Sequence, residues 1–334
     1  MDYRQLGRSG LRVSELCLGT MMFGNQTSEQ DAIEIIAAAK DSGVNFIDSA
    51  DVYNGGAAEQ IAGKAIKANR SDWVLCSKMG NNLGGNPNSR GLSRHWVLEG
   101  TEACLKRLDT DYLDVLCLHR EDRDVPLEET MLAVATLVRE GKVRYFGLSN
   151  FRPWRAAIIC KMCDDLGIDR PVMFQPQYNM LNRTAEYDLI PLALHYGVGL
   201  VPYSPLARGV LTGKYRPGVE PDPDSRAGRK DARMLATEWR EESLRIAEDV
   251  AAYADKRQTN SVTLATQWVL ANASVSSVIA GPRTLQQWQG YVQALDYDYT
   301  AQDEATLSAM VPAGHDSTPG YIDPAYPVEG RVVR

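Results

Sequence analysis

The stretch VNFIDSADVYNGGAAEQIAGKAIKANR (residues 44–70) decides the fold. A short apolar run, Phe46–Ile47, ends at Asp48. Two glycines follow, Gly55 and Gly56, and from Ala57 the apolar residues recur at helical spacing. This is one strand, one turn and one helix. A strand that runs into a plain turn normally ends in Ser, Asn or Gly, chosen for the turn alone. Here it ends in a carboxylate, with Tyr53 five residues on.

The same unit recurs along the chain. Short apolar, β-branched runs predict strands at 13–21, 44–50, 73–79, 112–120, 143–150, 172–179, 199–206 and 276–281. Helix-period segments lie between them. One opens with Ser28 as N-cap and closes at Gly43, and another has Pro153 in its first turn. Eight strands alternating with helices predict a single-domain (β/α)8 TIM barrel over residues 1–334. YRQLGRSGLRVS at the start reads as a hairpin capping the lower end of the barrel. Residues 215–240, polar and rich in Pro and Gly, read as a long loop after the seventh strand. The tail from Pro312, with Tyr321 and Tyr326, reads as a loop laid over the barrel mouth.

Composition narrows the function classes. Of 334 residues 44% are hydrophobic and 24% charged, an ordinary globular balance. A net charge of −7 with no basic block argues against a nucleic-acid partner. No apolar run reaches about 18 residues, so no membrane span is expected. The first residues lack a signal-peptide pattern, and a cytoplasmic location is expected. The six cysteines read as packed thiols. Cys160 and Cys163 form a Cys-x-x-Cys pair, but it sits in a helical pattern with no second pair at zinc spacing, so no metal site is expected.

In a barrel of this kind the active site gathers at the C-terminal ends of the strands. Those ends carry Asp48, Lys78, His119, Ser149–Asn150, Gln175, Tyr203–Ser204 and Gly281. Singly, Asp48 reads as a cap, Lys78 as a solvated charge and His119 as a packed histidine; His95, His195 and His315 keep that structural reading. Placed together on consecutive strand ends, they read as chemistry. A tyrosine hydroxyl titrates near ~10 and is a poor acid at neutrality. An adjacent ammonium favours its phenolate, and a carboxylate keeps that ammonium charged. Asp48, Lys78 and Tyr53 supply such a relay, with His119 to polarise a carbonyl.

Asp48, Tyr53, Lys78 and His119 resemble the catalytic tetrad of the aldo-keto reductase superfamily. GTMMFG, SKMG, RLDTDYLDVLCLHR, GKVRYFGLSNF, FQPQYN, YSPLARGVLTGKY and VIAGPRT extend the resemblance over nearly the whole chain. It is nearer to bacterial reductases related to potassium-channel β subunits. The resemblance implies bound NADPH without a Rossmann domain, and no G-x-G-x-x-G stretch is present. It further implies that Ser149, Asn150 and Gln175 hold the carboxamide and that Tyr203 stacks on the ring. Gly19, Thr20, Met21, Ser204, Pro205, Leu206, Gly209 and Lys214 then line the ribose and pyrophosphate. Asp48, Gln26, Arg226 and Gly281 are further contacts, and Arg283 and Gln287 face the adenosine 2′-phosphate. Gly290–Tyr291 stand where the family often has Glu-Asn, and Ala280 where it has Pro, so the adenine contacts differ.

The expected activity is NADPH-dependent reduction of an aldehyde or ketone, with Tyr53 as general acid. Met22, Phe23, Arg120 and Trp154, beside Tyr53 and His119, are the candidate substrate contacts. A sugar-derived or polycyclic ketone suits them as well as a simple aldehyde. The other reading is a nucleotide-sensing regulatory subunit, since the channel β subunits resembled also keep a tetrad.

Overall fold

Side chains alternate along each strand, so every second residue of a barrel strand points inward. Cys17, Phe46, Cys76, Cys117, Met173, Val201 and Ile279 meet in one buried layer. They lie on or next to β3 (Leu16–Gly19), β4 (Phe46–Asp48), β5 (Val74–Met79), β6 (Leu113–Leu118), β8 (Met173–Gln175), β9 (Gly199–Leu200) and β10 (Val278–Ala280). With β7 (Val143–Ser149) these form eight parallel strands in the order β10-β3-β4-β5-β6-β7-β8-β9. The ring closes where Leu200 pairs with Val275 and the Ile279 N–H donates to the Pro202 carbonyl at 3.0 Å. This is a (β/α)8 barrel.

A hairpin of β1 (Tyr3–Gln5) and β2 (Arg12–Ser14) sends Leu6 and Val13, both fully buried, into the same core. The predicted cap is present, and it stops the lower end with apolar side chains.

The computed structural model describes residues 1–317, 323, 325 and 326. The chain forms two compact units. The first is Met1–Pro176, Asp188–Tyr203 and Ala273–Val292, and it contains every strand. The second is Gln177–Tyr187, Ser204–Asn272 and Gln293–Arg334. The helices of the first half are α1 (Glu29–Asp41), α2 (Ala57–Ile66), α3 (Arg94–Leu108), α4 (Leu127–Arg139), α5 (Pro153–Leu166) and α6 (Leu189–Tyr196). Then come α7 (Ala232–Thr237), α8 (Glu241–Lys256), α9 (Ser261–Ala271), α10 (Leu285–Ala294) and α11 (Ala301–Ser308). Ser28 caps α1, its hydroxyl accepting from the Asp31 N–H at 3.2 Å, and Pro153 opens α5. No helix of the described residues is long and apolar enough to cross a membrane.

Three readings of the sequence need correction. The seventh barrel strand shrinks from 199–206 to Gly199–Leu200, because Pro202 and Pro205 cannot donate to a ladder. Pro176 likewise ends β8 at Gln175. The 215–240 loop holds a helix, α7, whose cap is Asp231 accepting from the Met234 N–H at 2.7 Å. Cys160 and Cys163 are both fully buried on α5, inert packing thiols. The tail begins anchored within the second unit: the Ser317 N–H donates to the Leu181 carbonyl, and Asp316 bridges to Asn182. Asp323 pairs with Arg233, whose guanidinium lies over Tyr326. Tyr321 and the remaining tail positions read as covering the barrel mouth lie outside the described residues.

Candidate active site

Two residues beyond the buried layer, the same alternation brings the next inward position to the barrel mouth. Cys17 leads to Gly19, Phe46 to Asp48, Cys76 to Lys78, Cys117 to His119, Met173 to Gln175, Val201 to Tyr203 and Ile279 to Gly281. Seven predicted site residues are thus placed by one geometric rule, and all belong to the first unit. The register adds the pairings: Asp48 stands beside Cys76 and Gly19, Lys78 beside Cys117, and Ser149 beside Gln175.

Lys78 is completely buried. Its Nζ donates to Asp48 Oδ2 at 2.5 Å and to the Ser49 carbonyl at 2.7 Å. Burial alone would drive the ammonium to shed its proton. Asp48 opposes that, followed by Tyr53, and the Lys78 pKa sits well above its ordinary value. The second Asp48 oxygen accepts from Gln175 Nε2 at 2.9 Å. The carboxylate is therefore held from two strands.

Tyr53 is not on a strand. It begins a tight turn, Tyr53–Gly56, in which Asn54, Gly55 and Gly56 all adopt positive φ. Lys78 Nζ lies 4.9 Å from the centre of the Tyr53 ring, and the His119 ring meets it edge-on at 5.9 Å. Lys78 does pull the Tyr53 pKa down, as the sequence suggests, but the net shift is upward. Burial pushes the phenol up to about 12, and the Lys78 charge only offsets part of that rise.

Sequence reasoning missed Asn81. Its Nδ2 lies 2.9 Å from His119 Nδ1, and an amide nitrogen can only donate. Nδ1 thus accepts, which places the His119 proton on Nε2. The sole hint in sequence was an asparagine three residues past Lys78. Asn81→Ala is expected to lower kcat/KM by up to about tenfold, the worth of one hydrogen bond. Asn81→Asp accepts from Nδ1–H instead, reverses the tautomer and should cost more. An Asn81→Asp enzyme as fast as wild type would remove Asn81 from the site.

The strand-end amides form a network. Asn150, in the left-handed region at φ 56°, donates through Nδ2 to the His119 carbonyl and to Ser149 Oγ, both at 2.9 Å. Its Oδ1 accepts from the Tyr203 hydroxyl at 2.8 Å, and Ser149 Oγ donates to the Gln175 carbonyl. Thr20 Oγ1 donates to the Asp48 carbonyl. A Cβ on Gly19 would lie 2.7 Å from Ile279 Cγ2, so any larger residue would have to displace that side chain. Gly281, by contrast, faces open space, and Arg283 beyond it is pinned through its backbone: its N–H donates to Gln287 Oε1, and its carbonyl accepts from Thr27.

Met21, Gln26, Arg120 and Trp154 are exposed, Trp154 under the Arg155 guanidinium, and Met22 is half-buried. Phe23 is fully buried and has no surface to offer a ligand. Ser204, Pro205, Leu206, Gly209, Lys214 and Arg226 belong to the second unit. There Ser204, Ala207, Arg208 and Gly209 all take positive φ, Lys214 is exposed, and Arg226 pairs with Asp231 at 3.0 Å.

A barrel whose mouth joins a buried lysine–carboxylate pair to a tyrosine and a histidine defines a class of oxidoreductase. The sequence model of the aldo/keto reductase family matches residues 15–311, and the chain belongs to that family. Among curated relatives, a probable voltage-gated potassium channel subunit beta of Arabidopsis thaliana is 41% identical over 89% of this chain and 92% of its own. The uncharacterized oxidoreductase YrpG of Bacillus subtilis is 35% identical over 96% of this chain and 98% of its own.

Proposed function

We propose that this chain is an NADPH-dependent reductase of aldehydes or ketones. The observation that carries the reading is the fully buried Lys78 ammonium, locked to Asp48 beside a partly exposed Tyr53 with His119 at its edge.

The residues at the mouth fit such a cofactor. Asn150, Ser149 and Gln175 offer amide and hydroxyl groups at adjacent strand ends, and Tyr203 offers a ring. Gly281 leaves room that a side chain would fill. When bound, NADPH supplies hydride to the carbonyl carbon. Tyr53 delivers the proton to the carbonyl oxygen, and His119 holds that oxygen through Nε2–H. Lys78 keeps a positive charge beside Tyr53 as proton donation begins, and Asp48 keeps Lys78 charged. Trp154, Arg120 and Met22 are the proposed contacts for the rest of the substrate, a sugar-derived or polycyclic ketone among the candidates.

NADPH oxidation across a panel of aldehydes and ketones tests the reading; turnover of at least one is expected. The 41% identity to a probable channel β subunit favours one other reading, a nucleotide-binding regulatory subunit. Tight NADPH binding with no turnover of any carbonyl would select it.

Arg283 is the proposed reader of the 2′-phosphate. That group carries nearly two negative charges, which a planar guanidinium grips with paired hydrogen bonds. Arg283→Ala is expected to weaken NADPH binding by roughly ten- to a hundredfold, from about 1.5–3 kcal/mol for a charged hydrogen bond. NADH binding should barely move. Equal losses for both cofactors in fluorescence titrations would reassign Arg283 to the fold.

A further inference from the structure

Behind Tyr53 and Lys78 lies a second set of buried acids that the proton relay does not use. Glu59, on the first turn of α2, is fully buried. Its Oε1 accepts from Ser77 Oγ at 2.5 Å, and Ser77 immediately precedes Lys78 on β5. Its Oε2 accepts from Arg107 Nε on α3, also at 2.5 Å. The Arg107 stem presses on Gly56, the last residue of the Tyr53 turn: a Cβ there would sit 2.5 Å from Arg107 Cδ. One carboxylate therefore joins the strand of Lys78, the turn of Tyr53 and the helix of Arg107.

Asp51 is within electrostatic reach of Glu59, 2% exposed, and neither of its carboxyl oxygens has a hydrogen-bond partner. Its own N–H donates to the Lys78 carbonyl at 2.9 Å, which ties it to the same strand. The charged and titratable groups that face it are Glu59 from α2, Arg107 and Cys104 from α3, and Lys78 from β5. The neighbouring Val52 N–H favours the charge slightly without reaching hydrogen-bond geometry. Arg107 is committed to Glu59, and Lys78 to Asp48. An ionised Asp51 would be a buried carboxylate with no donor, a costly state that a carboxyl group avoids by keeping its proton. Burial, then Glu59, accordingly pushes Asp51 up to about 7.

We infer that Asp51 and Glu59 are a carboxyl pair that holds one proton and positions the proton donor. Glu59 ties the Tyr53 turn to the Lys78 strand, and protonated Asp51 keeps that frame neutral. The positioning half of the inference rests on the reductase reading; the proton on Asp51 does not. Because the folded-state pKa of Asp51 is raised, its contribution to stability is present at low pH and is lost as pH rises through about 7.

The test uses the whole chain with Asp51→Asn, which keeps the shape and never ionises, with Asp51→Leu as a second uncharged variant should the first fail to fold. Infrared difference spectra between roughly pH 6 and roughly pH 8.5 should show, beyond the contributions of the other raised buried acids Asp316 and Glu238, a protonated carboxyl component in wild type that both variants lack. The unfolding temperature of wild type should fall more than that of the variants between roughly pH 4 and roughly pH 7 and run parallel to it above. With a carbonyl substrate in hand, Glu59→Gln should lower kcat about tenfold and leave the NADPH Kd within about twofold. Wild-type kcat is expected to fall as pH rises through about 7, and that fall should be missing from the Asp51 variants. A carboxyl signal that is the same in wild type and in the Asp51 variants, or an alkaline limb that persists without Asp51, overturns the proton on Asp51. A Glu59→Gln enzyme with unchanged kcat, or with NADPH affinity lost in step, overturns the positioning role. A chain that reduces no carbonyl at all overturns the reductase reading and the positioning role with it, while the infrared band still decides the proton.

Discussion

Tyr53→Phe is expected to slow carbonyl reduction by at least ~10²-fold, the usual loss when a general acid is removed. The ring and the turn that carries it remain, so NADPH should bind as before. What disappears is the hydroxyl beside the buried ammonium. Because burial holds the phenol near about 12, Tyr53 keeps its proton throughout the physiological range. The proton is thus always present for reduction, though held more tightly than in a free phenol, and alcohol oxidation must first remove it. The reverse reaction should accelerate with rising pH in wild type and lose that dependence in the variant. Single-turnover kinetics would isolate the chemical step. A Tyr53→Phe enzyme that reduces carbonyls at near the wild-type rate in such an experiment would displace Tyr53 as the acid.

Asp48→Asn should damage both stability and activity. Asp48 is the counter-charge of a lysine with no solvent contact, and its other oxygen takes the Gln175 amide. Removing one partner of a buried pair leaves the other uncompensated, typically at about 3–5 kcal/mol. Lys78 can escape that cost by releasing its proton. The positive charge beside Tyr53 then vanishes, and reduction should fall by about 10² or more. Urea unfolding measures the first effect and steady-state kinetics the second. Asp48→Asn combined with Lys78→Met removes both charges, so the double variant should be more stable than Asp48→Asn alone. If the single variant unfolds at the wild-type urea concentration, or if the two losses simply add, the pair is not coupled in this way.

Much of this protein was legible before any coordinates. The repeat of strand, turn and helix is local, written in apolar spacing and in caps such as Ser28 and Pro153, so the barrel could be counted from the chain. Asp48, Lys78, His119 and Gln175 were legible for the same reason: each stands at a strand end, and period-two alternation carries it to the mouth. Strand lengths were less legible, because a proline ends a ladder only where its missing N–H would have been needed, as at Pro176 and Pro202.

The strengths and partners of these groups were decided by tertiary structure alone. Nothing near Tyr53 in sequence says that it will be desolvated, so the rise of its pKa against the pull of Lys78 could not be read. Asn81 became a histidine partner only when the loop after β5 met the end of β6. Phe23, read as a pocket residue, turned into the core. Glu59, Ser77 and Arg107 are separated by 18 and 48 positions along the chain, and no spacing rule connects them. Local patterns determine which elements form and which residues end them. Which charges are buried together, and which carboxyl is left without a donor, depends on how those elements pack, because desolvation and hydrogen bonding act through space.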